Sequence, residues 1–591
     1  MNPDKLNKRL TSLSNLKENV KAKDLYKFLI DDDAIWYQAY QNIYSNRGAF
    51  TKGISNDTLD NFNKERIDNI IISLKDKTYT PTPVRRVLIP KLNGKTRPLG
   101  IPTGTDKLVQ EACRIILEAI YEPKFSNLSH GFRPNRSCHT ALKEIYKWTS
   151  TKWFIEFDIK GCFDNINHNI LLNILNERID NNNFIELINK FLKAGYLENW
   201  KYNNTYSGTP QGGIISPILA NIYLDKLDKF IENKCNIINS TPNERTQTIE
   251  YMKLTSTLQT TRKSIKSCVE NIKYLEDYAN NYLKFDNNDY FWVLFNKGCE
   301  LRAKLKGTGK ILQTEILKYF RPIAKEYNLL VEDLVKASKY NELINTYNRY
   351  QNILNTYPDL IRKTKAIDTS KGLERLHYVR YADDFICGYI GTKFNANLIF
   401  EDVRLYIQQN LQLELSETKS KVEDKSGVKF LGYNISMPEP TLERVRNSWG
   451  IKKRRNITKP VFKVPTENVV QFVKNKKYGN YAENISSCRP YLINFDEYEI
   501  IKQYNAELRG LIYYYRYAIN CKDIIGKVQW LWQYSLLKTL ANKHKCTVPQ
   551  IFKRNIIKTK AHDRVGKIWY YDTTIDNKTI EIEVFNIKDV K

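Results

Sequence analysis

Apolar positions along the chain switch between helical and strand spacing in blocks. Over residues 1–80, Leu25, Phe28, Leu29, Trp36 and Tyr40 recur at mixed helical intervals, which predicts a mainly helical start. From Pro81 to about Asn239 short β-favouring runs alternate with helical stretches. The clearest run is Trp153-Phe154-Ile155-Glu156-Phe157-Asp158-Ile159, which predicts a central strand ending in an acid. Farther on, Tyr378 and Val379 precede Tyr381-Ala382-Asp383-Asp384, and Phe385 and Ile386 follow it. That pattern predicts a hairpin with two carboxylates at its tip. Between these β blocks, residues 241–373 are rich in Lys, Asn, Glu, Leu and Tyr and sparse in Gly and Pro, which predicts inserted helices. Helical spacing returns from about Glu467. In its later part Val528, Leu531, Trp532 and Leu536 share a side that Leu537 and Leu540 broaden.

Charge adds a partner class to this picture. The 591 residues carry 93 Lys+Arg against 65 Asp+Glu, a formal net charge of +28, which draws a chain to phosphate backbones. With 42% hydrophobic residues the chain can bury several cores. The ten cysteines include no Cys-x-x-Cys pair, so neither a zinc ribbon nor a disulfide framework is indicated. The six histidines, among them His139, His168 and His544, are dispersed and read as polar or packing residues. No apolar stretch approaches the roughly 20 residues of a membrane span, and no membrane partner is expected. Asp4, Glu18, Asp24 and Asp31 to Asp33 dilute any transit-peptide reading of the start.

Two adjacent carboxylates at a turn are weak evidence alone, because Asp is common in turns. With Asp158 as a third, the group suits nucleotidyl transfer by two metal ions roughly 3.5–4 Å apart, one activating a 3′-hydroxyl and one steadying pyrophosphate. Grouped carboxylates repel one another and persist poorly without a cation.

The surrounding motifs sharpen this. Arg97-Pro98-Leu99-Gly100-Ile101-Pro102, Phe157-Asp158-Ile159-Lys160-Gly161-Cys162-Phe163-Asp164, Gly208-Thr209-Pro210-Gln211-Gly212-Gly213-Ile214-Ile215-Ser216-Pro217, Tyr381 to Asp384 and Phe430-Leu431-Gly432-Tyr433 follow one another in the chain. In this order they resemble the reverse transcriptases encoded by group II introns, over most of residues 40–560. The resemblance implies that Asp158, Asp383 and Asp384 bind catalytic Mg²⁺, with the Ile159 carbonyl completing one shell. Phe163 matches a steric gate against the ribose 2′-hydroxyl, favouring deoxynucleotides. Lys91 and Arg97 match the cations on the incoming triphosphate, and Gln211 matches a residue of the nucleotide pocket. Lys419, with Lys421 as a neighbouring candidate, matches the lysine near pyrophosphate. Phe430, Leu431, Gly432 and Tyr433 match the primer grip.

The fold so implied is α+β: a right-hand polymerase of fingers, palm and thumb, with an α-helical maturase (X) domain and a helical insertion in the palm. The expected segments are an N-terminal extension (1–80), fingers and palm (81–240), the insertion (241–373), palm with the Asp pair and primer grip (374–440), thumb and maturase domain (441–560) and a basic C-terminal tail (561–591). Ser45-Asn46-Arg47-Gly48 resembles the template-binding part of the extension. The family usually has a shorter connection where the insertion lies. The insertion reads either as a solvated appendage or as an RNA-holding lobe, the latter through Lys263, Lys266, Arg302, Lys304, Lys306 and Lys310. Lys452-Lys453-Arg454-Arg455 is expected on the thumb against duplex phosphate. Gly510-Leu511-Ile512-Tyr513-Tyr514-Tyr515-Arg516-Tyr517 and residues 535–545 resemble the maturase domain, with Lys538, Lys543 and Lys545 as RNA contacts. Tyr513 to Tyr515 are open between RNA stacking and core.

Residues 546–591 hold only Cys546 and His562, so the HNH endonuclease of many relatives is not expected and a cDNA primer would come from elsewhere. Residues 551–565, with Lys553, Arg554, Lys558, Lys560 and Arg564, read either as a DNA-binding remnant or as a frayed tail. The implied function is an RNA-directed DNA polymerase that binds its own intron RNA and assists splicing and mobility. Its partners are RNA template, DNA primer, deoxynucleotides and, for mobility, target DNA. The alternative is a maturase-only splicing cofactor. The Asn, Lys, Ile and Tyr richness points to an AT-rich genome, read as that of a mitochondrion or chloroplast, with the bacterial cytoplasm as the alternative.

Overall fold

The computed structural model describes residues 3–586 except 47, 61, 91–95, 199–200, 210–211, 241–246, 283–288, 305–309, 365–373, 440–443, 447–451, 455–457, 563–565 and 576–577. The chain forms two compact units: residues 1–242, 374–440 and 457–591 make the first, and 243–373 with 441–456 the second. Among the described residues no helix is long and apolar enough to cross a membrane.

In the first unit, helices cover much of the start, including Ala34–Tyr44 and Lys64–Lys75. β1 (Val84–Pro90) and β2 (Thr96–Ile101) then pair antiparallel, and the helix Gly104–Tyr121 follows. Thr103 caps that helix by accepting from Asp106 N, as an N-terminal threonine should. β3 (Trp153–Asp158) is the expected central strand. β4 (Tyr196–Glu198) and β5 (Lys201–Asn203) extend the first sheet to the order β2-β1-β4-β5. After the helix Ser216–Asn239 and the second unit's helices, the chain returns as β6 (Arg375–Tyr381) and β7 (Asp384–Ile390). With β8 (Lys421–Asp424) these complete a sheet of order β6-β7-β3-β8. One asparagine closes the point of departure: Asn239 Nδ2 donates to the Leu376 carbonyl at 2.9 Å and Asn239 Oδ1 accepts from Leu376 N at 2.9 Å.

Alternation along the central strands divides two cores. Ile155, Phe157, Phe385, Cys387 and Tyr389 pack with the helical start and with Ser216–Asn239. Phe154, Val379 and Ile386 pack with the helix Cys138–Tyr146 and the C-terminal helices. Period-two side-chain placement therefore puts Glu156 and Asp158 on the Phe154 face, and Asp384 on the Ile386 face beside them.

β9 (Val428–Phe430) and β10 (Tyr433–Ser436) form a tight hairpin. β11 (Arg444–Arg446) and β12 (Lys452–Arg454) form another, which groups with the insertion and not with the C-terminal helices. Lys452, Lys453 and Arg454, expected on the thumb, form the second strand of this hairpin. Arg455 lies outside the described residues.

β13 (Val461–Lys463) joins β10, and the C-terminal helices follow, with β14 (Gly479–Asn480) and β15 (Ile485–Ser486) as a small hairpin between them. Helices Glu497–Tyr514 and Cys521–Lys543 build their core around Trp532, fully buried, whose indole N–H donates to Tyr504 O at 2.8 Å. A buried pair sits beside it: Arg489 donates to Glu507 at 2.9 and 3.1 Å and lies against the Tyr504 ring.

The C-terminal segment is not a frayed tail. β16 (Lys558–His562), β17 (Gly566–Ile575) and β18 (Lys578–Glu583) form an antiparallel meander. Its lysines face acids across the strands: Lys558 pairs with Asp572 at 2.8 Å, and Lys560 with Glu581 and, at 2.7 Å, with Glu583. The sheet joins the helix Glu497–Tyr514 through Asn505, which donates to Glu583 O at 2.7 Å and accepts from Phe585 N.

The second unit contains helices Ile249–Tyr282, Asp289–Lys304, Lys310–Glu326, Val331–Ala337 and Tyr340–Lys363. Leu275, Phe295, Ile316, Phe320, Ile323 and Leu334 form its own core. Arg302, expected as an RNA contact, turns inward to Glu342 at 3.7 Å and Ser338 at 3.5 Å.

Removing a buried aromatic ring costs about 3–5 kcal/mol. Trp532→Ala is therefore expected to destabilise the unit that contains it by about 3–5 kcal/mol, seen as a lowered urea midpoint in unfolding followed by circular dichroism.

Candidate active site

Antiparallel pairing of β3 with β7 sets Asp158 directly opposite Asp384. Tyr381 pairs with Asp384 across β6 and β7, leaving Ala382 and Asp383 as the two-residue tip. Ala382 has φ +57°, a region where its Cβ is disfavoured. Behind the site the Phe157 ring stacks on Phe385 at 4.6 Å and Phe400 at 5.3 Å, so the strand ends carrying the aspartates rest on packed aromatics.

Beyond Asp158 the backbone is held from the other side. Ser416 N donates to Asp158 O at 2.8 Å, Asp158 N donates to Ser420 Oγ at 3.1 Å, and Ile159 bridges to Leu415. That loop carries Lys419, whose Nζ donates to Asp158 Oδ2 at 2.7 Å. Lys421 instead pairs with Glu423 at 2.7 Å, which leaves Lys419 as the lysine of the site.

Asp383 is raised above the ordinary carboxylate range by burial first, and also by Asp158, with Arg97 and Lys419 opposing. Asp384 keeps a solvent-exposed side, yet desolvation and then Asp383 and Asp158 push it up to about 6. Glu156, two residues behind Asp158 on the same face, is pushed up to about 7, mainly by burial. Among the described residues no three acids are drawn in tightly enough to enclose an ion. The group nevertheless suits a divalent cation: all three aspartates offer oxygen donors, their negative charge is under-compensated, and the Lys419 ammonium already sits on Asp158 as a cation would.

Phe163 is buried in a one-turn helix, Cys162–Asn165, with its ring edge-on to Phe132 at 6.1 Å. The loop leading to the expected nucleotide pocket is strapped to this turn: Thr209 N donates to Phe163 O at 2.7 Å and Gly208 N to Ile166 O at 2.8 Å. Gly208 has φ +88°, and a Cβ there would lie 2.6 Å from Asp164 O, so only glycine fits. Past it, Gly212 packs on β2 with Gly100 O 2.6 Å from where its Cβ would be. Gln211 and Lys91 lie outside the described residues. Arg97 is exposed on β2, near enough to Asp383 to lower its pKa.

Leu431 and Gly432 are the two loop residues of the β9–β10 hairpin, with φ +46° and +73°. Positive φ at both positions matches the twist of a tight hairpin. Its conformation is fixed from the thumb: Tyr514 Oη donates to Leu431 O at 2.8 Å, Asn468 Nδ2 to Gly432 O at 3.3 Å, and Tyr433 Oη to Tyr514 O. Phe430 and Tyr433 are buried beneath. Tyr514 and Tyr515 therefore support the hairpin, while Tyr513 is about half exposed.

Two expected RNA contacts are already engaged within the protein. Lys538 Nζ donates to Ser486 O at 2.7 Å, and Lys543 Nζ to Ile493 O and Phe495 O at 3.1 and 2.9 Å. Both ammonium groups satisfy loop carbonyls, and Lys545 is exposed. Residues missed from the sequence include Ser420, Glu156 and the buried Arg380–Asp228 pair, whose Nη2–Oδ2 distance is 2.6 Å. An arginine inside an apolar strand beside the Asp pair was the available signal.

Residues 89–288 match the family Reverse transcriptase (RNA-dependent DNA polymerase), and residues 457–573 match Type II intron maturase. The chain is 41% identical over 550 residues to the group II intron-encoded protein LtrA of Lactococcus lactis, covering 90% of this chain and 77% of that one. It is 31% identical over 573 residues to the putative COX1/OXI3 intron 2 protein of Saccharomyces cerevisiae, covering 95% and 57% respectively. It is 33% identical over 545 residues to an uncharacterised 91 kDa protein in the cob intron of Schizosaccharomyces pombe, covering 91% and 56%.

Carboxylates whose folded pKa is raised favour folding at low pH, and that contribution is lost as pH rises through the folded value. From Asp383, Asp384 and Glu156 the loss spans about pH 4 to about pH 7. A divalent cation binds the ionised form, so the rise in Tm on exchanging EDTA for a divalent salt is expected to be small near about pH 5 and to grow toward about pH 7. Thermal unfolding across that range checks this.

Proposed function

Because the chain belongs to the group II intron-encoded reverse transcriptase and maturase family, and so is an RNA-directed DNA polymerase with a maturase domain, we propose that Asp158, Asp383 and Asp384 are its catalytic residues. The observation that carries this is the ladder register placing Asp158 opposite Asp384 beside the hairpin tip. The three carboxylates and the Ile159 carbonyl would hold Mg²⁺. Bound magnesium supplies activation of the primer 3′-hydroxyl and neutralises charge on the departing pyrophosphate.

The chain's own residues position the substrates. The 3′-hydroxyl attacks the α-phosphorus of the deoxynucleotide, a new P–O bond forms, and pyrophosphate leaves. Lys91 and Arg97 bind the triphosphate, and Gln211 contributes to recognition of the nucleotide. Phe163 excludes a 2′-hydroxyl. Phe430 to Tyr433 hold the primer end, on a hairpin the thumb fixes through Tyr514 and Asn468. Lys419, which donates to Asp158 Oδ2, would present its ammonium to the pyrophosphate oxygens with metal held by the aspartates.

The maturase part binds the host intron RNA and stabilises the fold in which that RNA performs its own transesterification. Lys545, and the β11–β12 hairpin with Lys452 to Arg454 in it, are the cationic segments we assign to RNA or template phosphate. Intron mobility would add target DNA as a partner. The composition supports an organellar gene, with the relatives found in a bacterium and in fungal introns.

Primer extension on an RNA template with deoxynucleotides and Mg²⁺ tests the polymerase site. Wild type is expected to extend, and Asp383→Ala to lose extension while keeping intron-RNA binding and splicing assistance. Extension by Asp383→Ala would remove that residue from catalysis. No extension by folded wild type that binds intron RNA tightly would favour a splicing cofactor. For the gate, Phe163→Val is expected to raise ribonucleotide incorporation at least tenfold relative to deoxynucleotide; an unchanged ratio of kcat/KM values would remove Phe163 from sugar selection.

A further inference from the structure

Arg380 is fully buried three residues before Asp383, and no step of nucleotidyl transfer described above uses it. Its guanidinium is bidentate on Asp228, also fully buried: Nε donates to Oδ1 at 2.7 Å and Nη2 to Oδ2 at 2.6 Å. Nη1 points elsewhere, donating to the Ala382 carbonyl at 2.8 Å and to Asn221 Oδ1 at 3.1 Å. Tyr378 Oη donates to Asp228 Oδ1 at 2.6 Å, completing the carboxylate's partners. The same arginine's backbone is strapped to another loop, with Arg380 N donating to Leu128 O and His130 N to Arg380 O, both at 2.9 Å.

That loop also limits where the tip can sit. Asn221 Nδ2 donates to Gly131 O at 2.9 Å, and a Cβ on Gly131 would lie 2.2 Å from Ala382 N. Ala382, between this glycine and the Nη1 of Arg380, is the residue with φ +57° that turns the chain into Asp383.

A buried ion pair is poor evidence of stabilisation, because desolvation offsets much of the attraction and an apolar replacement of similar volume is often as stable. What an apolar replacement lacks is a donor aimed at the Ala382 carbonyl. We propose that Arg380, fixed by Asp228 and Asn221, is a positioning residue that holds the Ala382 turn in its left-handed conformation and so sets the spacing of Asp383 and Asp384 for metal. Lysine offers no planar fork and so cannot make the bidentate pair and the carbonyl contact in the same geometry. The inference rests on the reading of Asp383 and Asp384 as catalytic.

The test uses the full chain with primer and RNA template, saturating deoxynucleotides and a Mg²⁺ titration. It compares Arg380→Lys, Asn221→Ala, and a core-filled variant carrying Arg380→Met, Asp228→Leu and Tyr378→Phe. Misplacement of a reacting group by about 1 Å costs on the order of 100-fold in rate. The expected result is a kcat lowered about 10- to 100-fold in Arg380→Lys and in the core-filled variant, and lowered less in Asn221→Ala. The half-activating Mg²⁺ concentration rises with the loss, while Tm, KM for deoxynucleotide and primer–template affinity stay near wild type. A folded Arg380→Lys with wild-type kcat and Mg²⁺ dependence overturns the proposal, as does a loss that only tracks the unfolded fraction. If the core-filled variant does not fold, the two single variants decide by the same criteria. Asp383→Ala run alongside separates the two readings: extension by it overturns the catalytic assignment itself, whereas its inactivity with a fully active Arg380→Lys overturns only the role of Arg380.

Discussion

Two carboxylates held opposite each other on neighbouring strands repel, and the antiparallel ladder of β3 and β7 holds Asp158 and Asp384 in that relation. Several features of the polymerase unit oppose the separation this repulsion favours. Stacked Phe157, Phe385 and Phe400 make the strand ends rigid from behind. Ser416 and Ser420 hold the Asp158 backbone from the side, and Lys419 supplies interim positive charge. The site is thus kept in a state that a divalent ion relieves, which is the electrostatic basis of metal dependence in this fold.

Aromatic residues and cations in the C-terminal half do different work from what their interleaving suggests. Tyr433, Tyr514 and Tyr515 form a cluster that ties the β9–β10 hairpin, the proposed primer grip, to the helices behind it. Lys538 and Lys543 close loops, and Lys558 and Lys560 balance acids across the meander. Some of the 93 Lys+Arg are thus engaged by the protein's own oxygens, and the count of basic residues is not a count of nucleic-acid contacts.

The sequence was most legible where function compresses chemistry into a few adjacent residues. The strand ending in Asp158 and the hairpin carrying Asp383 and Asp384 follow from local apolar spacing, and the pairing of their ends is what the structure adds. Asp228, Asn221 and Gly131 were not legible, because each acts through a partner distant in sequence and each fits an ordinary helix or loop pattern. Residues 561–591 read as a basic tail because scattered Lys, Asp, Thr and Glu dilute the apolar period; the pairing of the three strands and the ion pairs of Lys558 and Lys560 appear only in the folded chain. The basic run at Lys452 to Arg454 was assigned by its position after the palm, whereas its hairpin clusters with a segment remote in the chain.

Asn239 binds both backbone groups of Leu376, so the chain leaves the palm and re-enters it at one hydrogen-bonded point. During synthesis this places a constraint on time as well as space. β3 emerges long before β7, and the ladder that sets Asp158 opposite Asp384 cannot close until all of residues 159–383 have been made. The helical insertion, with a core of its own, can fold during that interval, and the asparagine then brings β6 back beside the helix it left. Loop-closure entropy grows only slowly with length, so such a closed excursion costs little more than a short one. The two strands carrying the proposed catalytic aspartates are accordingly made far apart in time, and a chain truncated before β7 has Asp158 without Asp384 and no β3–β7 ladder.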